Sequence, residues 1–213
     1  TRRAPSSESN SRRRTWRNTR VLSLKERIEW LERELPPNPP RFRIHDELPF
    51  AILRYDPQEE WALRREAKYL ATRLSNAGLQ VVTISLAELM WEAIEKSEGV
   101  GAIVALEKEW GFDRAQEQVN VYLSDPDFSP LRDLLVARLA GLDPQSTVCF
   151  LMRAGGLAPE IYHVSKLLEE MQGRTTVPTV LFYPGLMQGA NSLLFMGLPG
   201  REPPPVYRVK IYG

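Results

Sequence analysis

Between Gln172 and Tyr212 three apolar runs, VPTVLFYPG, SLLFMGLP and VYRVKIY, follow one another with almost nothing helical between them, each bounded by Pro or Gly. Runs of this length without a 3.6-residue period read as strands. Three in succession predict that the chain finishes one side of a buried sheet with hairpin-like returns.

Upstream, similar runs alternate with helical segments. Leu48 to Tyr55 (LPFAILRY) reads as a first strand. Asp56 is a fitting N-cap and Pro57 a fitting first helical residue for a helix running to about Asn76, with Trp61, Leu63, Ala67, Leu70 and Leu74 at helical spacing. Gly78 ends it, and Gln80 to Ser85 (QVVTIS) is a second strand. A strand–helix–strand unit favours parallel pairing through a crossover.

Leu86 to Trp110 is helical in pattern, broken near Gly99 and Gly101. Phe112 to Leu123 and Leu131 to Leu139 are further helices on either side of the turn-rich SDPDFSP. Ser146 to Met152 is a third strand, Ala158 to Met171 a helix and Val177 to Tyr183 a fourth strand, with closing strands at Leu193–Met196 and Tyr207–Tyr212. The order predicts a three-layer, Rossmann-like α/β domain with a mostly parallel sheet, antiparallel closing strands and no P-loop.

With 213 residues, 43% of them hydrophobic, the chain suits one domain plus an extension. The domain is expected over residues 42–213. Cys149 is the single cysteine, so no intrachain disulfide forms, and a reducing, cytoplasmic compartment is the simplest expectation. Within TVCFLM it reads as a small core residue rather than a nucleophile. No apolar run reaches the roughly 18 residues needed to cross a bilayer.

The net charge of +1 conceals an asymmetry. Residues 1–20 carry seven Arg against one Glu, while the remainder carries 21 basic and 26 acidic side chains. Residues 1–21 read as a disordered, Arg-rich tail, too poor in aliphatics to order itself. It is either a solvated leader or a basic arm for nucleic acid or an acidic partner. Residues 22–41 read as an amphipathic helix and a Pro-rich linker. Ser23-Leu24-Lys25-Glu26 forms a capping box, Leu22, Ile28, Leu31 and Leu35 share a stripe, and PPNPP stiffens the link. Leu24, Ile28, Leu31 and Leu35 are the candidate contacts of a partner-docking helix. The same stripe suits packing on the chain's own body.

Ligands of open α/β sheets sit beyond the carboxyl ends of the strands. The candidates there are Arg54, Tyr55 and Asp56, then Ser85, then Arg153 with Gly155 and Gly156, then Tyr183, Pro184 and Gly185. Neither a Gly-x-x-x-x-Gly-Lys-Ser/Thr nor a Gly-x-Gly-x-x-Gly spacing occurs, which disfavours nucleotide hydrolysis. His45 and His163 are far apart and lack ligand partners at metal spacing, and no Gly-x-Ser-x-Gly elbow is present. Asp125 and Asp127 read first as turn and capping residues. With Asp56 they are the carboxylates that a hydrolase reading would use. Arg208 and Lys210 alternate in the last run beside Tyr207 and Tyr212, near Arg174. Such a strand either binds nucleic acid or an acidic partner, or guards a sheet edge against aggregation.

Taken together, LPFAILRYDP, FLMRAGGLAPEIYHVSKLLEEMQGRTTVPTVLFYPG, LLFMGLP and YRVKIY resemble the BrxB family of BREX systems, which protect bacteria from bacteriophage. The likeness runs from about residue 22 to Tyr212. It implies a component of a multi-protein system that also contains a methyltransferase, a large ATPase and the alkaline-phosphatase-like protein PglZ. A non-catalytic adaptor, assembly or regulatory part without a cofactor is the implied role. PglZ is the first expected partner, then the ATPase or the methyltransferase. The family supplies no catalytic residues to carry over. Arg54, Tyr55, Asp56, Arg153, Tyr183, Arg208 and Lys210 are therefore candidates for an interaction surface. The alternative is a degenerate nucleotide- or nucleic-acid-binding domain in the same system.

Overall fold

A computed structural model describes residues 22–35, 48–158, 161–189, 192–198 and 207–213. The Arg-rich tail, the Pro-rich linker and His45 lie outside them. The elements are α1 (Leu24–Glu34), β1 (Phe50–Tyr55), α2 (Glu60–Asn76), β2 (Gln80–Ser85), α3 (Leu86–Lys96), α4 (Gly99–Trp110) and α5 (Phe112–Ser124). They continue with α6 (Leu131–Leu139), β3 (Thr147–Met152), α7 (Val164–Glu170), β4 (Thr179–Met187), β5 (Leu193–Phe195) and β6 (Lys210–Tyr212).

The six strands form one sheet in the order β2-β3-β4-β1-β6, with β5 paired to the far end of β4. All neighbours along the main path are parallel. The mostly parallel sheet between helical layers is a Rossmann-like, three-layer α/β fold. One departure from expectation concerns the closing strands. β5 does return antiparallel on β4, pairing Gly185 with Phe195 and Met187 with Leu193. β6 instead runs parallel to β1, pairing Ile52 with Ile211, so the final run is a crossover strand and not a hairpin return. A local apolar run specifies a strand, but its partner is set by where the connection lands.

Strand alternation divides the core in two. Phe50, Ile52, Cys149, Leu151, Leu181 and Tyr183 face α3, α5, α6 and α7. Ala51, Leu53, Tyr55, Val148, Phe150, Val180 and Phe182 face α1 and α2. The chain crosses from β1 to β2 through α2 on one face, then returns through β3 to β4 with its helices on the other. Crossovers of constant hand place helices on opposite faces when the direction reverses.

Helix ends follow local chemistry. Ser23 and Glu26 cap α1 reciprocally, with Glu26 N–H to Ser23 Oγ at 3.3 Å and Ser23 N–H to Glu26 Oε2 at 2.8 Å. Asp56 Oδ1 accepts from Gln58 N–H at 2.9 Å, opening a 3₁₀ turn over Pro57–Glu59 that leads into α2. The segment after β3 differs from the expected long helix. Ala154–Leu157 is a 3₁₀ turn, and α7 begins only at Val164.

The Leu24, Ile28, Leu31 and Leu35 stripe is buried in the protein's own core against α2, β1 and Tyr212. Burial of four such side chains is worth about 1.5–3 kcal/mol each by transfer. That stripe is thus occupied by its own body and not presented to a partner.

Candidate binding crevice at the strand ends

The carboxyl ends of β1, β3 and β4 lie along one edge of the sheet. Between them β1 leads to α2 on one face, while β2 and β3 lead to helices on the other. Such a reversal opens a crevice beyond the strand ends; the smaller of two adjoining cavities lies there, and the larger runs from it between α2 and the face of β2 and β3. One of about 230 Å³ is lined by Tyr55, Pro57, Glu60, Arg64, Ala87, Arg153, Gly155, Gly156, Pro184 and Met196. The other, of about 440 Å³, is lined by Arg64, Ala67, Lys68, Ala71, Thr83, Ser85, Glu88, Phe150, Met152 and Arg153. Arg64 and Arg153 border both.

The smaller cavity is framed by fixed polar pairs. Arg64 Nε meets Glu60 Oε1 at 2.7 Å, and Glu60 also accepts from the buried Tyr55 hydroxyl. Burial first, and then this bond to Glu60, push the Tyr55 phenol well above its ordinary range. Arg153 sits at the mouth in the left-handed region, φ 60° and ψ 36°, and reaches Glu88 only at 3.5 Å. Ser85 caps α3 by accepting from Glu88 N–H at 3.2 Å. Gly156 is a packing requirement, since a Cβ there would stand 2.8 Å from the Ala87 Cβ.

Arg153 and Asp56 stand at the crevice or its edge with exposed or partly exposed side chains. Arg54, Tyr55 and Tyr183 were expected on the same surface and are instead buried, at 8%, 0% and 1% exposure. Arg54 Nε has no hydrogen-bond partner among the described residues. The Tyr183 hydroxyl meets that of Tyr207 at 3.3 Å, and burial raises both phenols, Tyr207 to about 12. These aromatic strand ends are core. β4 runs on through Pro184 and Gly185 rather than turning after Tyr183, so the FYPG segment is strand as well.

The last strand is also not a basic surface strip. Arg208 is exposed but precedes β6. Lys210 is paired with Glu34 of α1 and lies 5.3 Å from the Trp30 ring centroid. Asp125 Oδ1 accepts from Asp127 N–H at 2.9 Å, forming a turn. Neither Asp125 nor Asp127 lines the two crevice cavities. No group of three or more His, Cys, Asp or Glu arranged to hold a metal is found among the described residues. Burial raises the Cys149 thiol to about 12, as suits a core residue.

Sequence reasoning missed Arg64 and Lys68. They sit one helical turn apart on α2, which reads simply as a charged helix face. That they line one cavity with Arg153 depends on where α2 crosses the sheet.

No helix among the described residues is long and apolar enough to cross a membrane. No solved structure matches the chain significantly. The BREX protein BrxB of Bacillus cereus (strain H3081.97) is 26% identical over 153 residues, covering 71% of this chain and 78% of that relative. The family described as BREX protein BrxB matches residues 82–209 of the 213, more than half of the chain, from within β2 through the Ala154–Leu157 turn and β4. The chain therefore belongs to the BrxB family of BREX proteins.

Proposed function

We propose that, within the BREX system to which its family belongs, the protein is a non-catalytic assembly or regulatory subunit. It acts in the cytoplasm with its partners in phage exclusion, host DNA methylation or both. One observation carries the reading. α4 bears Val100, Ile103, Val104, Leu106 and Trp110, yet none of its residues is buried. Trp110 is 67% exposed and the adjacent Phe112 60%. Large aromatics left in water on a helix face are typical anchors of protein interfaces.

PglZ is the partner to which the proposal commits, ahead of the ATPase and the methyltransferase. The apolar face lies in a segment, residues 98–117, with five acidic and two basic side chains, so it suits an apolar patch with a basic surround.

The test is affinity purification of tagged protein from cells carrying the full system. Trp110→Glu with Val104→Glu is expected to remove PglZ from the eluate while leaving the melting temperature unchanged. Retention of PglZ by this variant overturns α4 as the docking face.

A further inference from the structure

We propose that the crevice between α2 and the β2–β3 side of the sheet, opening at the carboxyl end of β3, binds a nucleoside phosphate, with the phosphate held by Arg64, Lys68 and Arg153 and the nucleoside lying over the apolar floor of the larger cavity. The proposal is independent of the docking role of α4.

Three observations converge. First, three cations line the same pair of cavities: Arg64 and Arg153 border both, and Lys68, one helical turn beyond Arg64, borders the larger. Arg64 is oriented by Glu60, which is itself fixed by Tyr55. Arg153 is held only by a 3.5 Å contact to Glu88, with side chains 45% and 76% exposed. An exposed pair of that length contributes little, so an incoming phosphate displaces Glu88 at small cost. Arginine offers forked donors that suit phosphate oxygens.

Second, Arg153 and Met196 are the two non-glycine residues with positive φ among the described residues, at 60° and 55°. Both line the smaller cavity. Left-handed backbone is unfavourable for side-chain-bearing residues and persists where surrounding structure imposes it, commonly at ligand clamps. Here the strain brings the Arg153 side chain to the mouth of the crevice.

Third, the larger cavity has the size and lining of a small-ligand site. Ala67, Ala71, Phe150 and Met152 provide an apolar floor, while Thr83 and Ser85 supply hydroxyls on one side. About 440 Å³ falls within the usual range for such pockets. The two alanines matter, because bulkier residues on that face of α2 would fill the space.

The experiment is calorimetric titration of the full chain with AMP, ATP, adenosine, inorganic phosphate and single-stranded DNA of increasing length. AMP or ATP is expected to bind saturably at one site, with adenosine and phosphate alone each weaker. Arg153→Gln and Lys68→Gln are expected to weaken nucleotide binding by about tenfold each, the size of a lost hydrogen bond to a charged group. Both side chains are exposed, so the melting temperature serves as a folding control. Absence of nucleotide binding at millimolar concentration, or unchanged affinity in Arg153→Gln, overturns the proposal. Equal affinity for inorganic phosphate overturns the nucleoside part. Affinity that grows with DNA length and falls steeply with salt overturns it in favour of a nucleic-acid track.

Discussion

The Tyr212 hydroxyl donates to the carboxylate of Glu34 at 3.0 Å, tying the last strand to the first helix across 178 positions of sequence. Lys210 and the Trp30 indole N–H converge on the same carboxylate, and the Trp30 and Tyr212 rings meet edge-on with centroids 5.0 Å apart. β6 is an edge strand, and α1 is secured against it by this cluster.

Glu34 gives the cluster a pH dependence. The Lys210 contact foremost, with smaller help from Trp30 and Tyr212, lowers its pKa from the ordinary 4.5. A depressed folded pKa means that the unfolded chain binds the proton first. The stabilisation is therefore complete above about 4.5 and is lost as pH falls through the lower folded value. Denaturant midpoints measured from pH 7 down to pH 3 are expected to fall less steeply for Glu34→Gln than for the parent chain.

Leu31 has no exposed surface and lies in the core shared by α1, α2 and β1. Leu31→Ala is expected to cost about 2–5 kcal/mol, the range for deleting a buried leucine. Equilibrium urea unfolding followed by circular dichroism measures it. A cost near zero would mean that α1 does not pack on its own domain in solution.

Gly185 sits where β4 leaves β1 and meets β5. A Cβ there would stand 2.4 Å from the Leu194 carbonyl oxygen and 2.7 Å from the Tyr183 ring. Gly185→Ala is expected to destabilise by about 1–3 kcal/mol, as overpacking does. Faster amide exchange in Leu193–Phe195 would locate the damage in the β4–β5 pair.

The tyrosines set an alkaline limit. Burial raises Tyr55, Tyr122, Tyr162, Tyr183, Tyr207 and Tyr212 above the ordinary 10, Tyr122 to about 12. With raised folded values, their contribution is complete below 10 and is lost as pH rises toward them. Absorbance titration of phenolate is expected to show these side chains ionising together with unfolding, rather than as separate early steps.

The crossover elements were legible because their signals are local. QVVTIS becomes β2 over the same residues, Leu131–Leu139 becomes α6, and Asp56-Pro57 caps as its chemistry demands. The segment RAGGLAP is harder to read, because two glycines permit either a helix start or a 3₁₀ turn; the chain takes the 3₁₀ turn, with Gly156 packed against Ala87. The candidate surface was legible in part: strand ends were located, but residues within them could not be sorted into core and rim. Tyr55 and Tyr183 look like rim residues in sequence and are core because helices and Tyr207 cover them.

By itself, the sequence determined the α/β class, the order of elements and the family, since periodicity, caps and shared segments are properties of neighbouring residues. Only the tertiary structure decided that β6 runs parallel to β1, that the stripe of α1 is spent on its own core, and that Arg64 and Lys68 line one cavity with Arg153. Those outcomes depend on which faces come together across long separations. The burial and pairing energies that fix them belong to contacts between segments, which no local pattern contains.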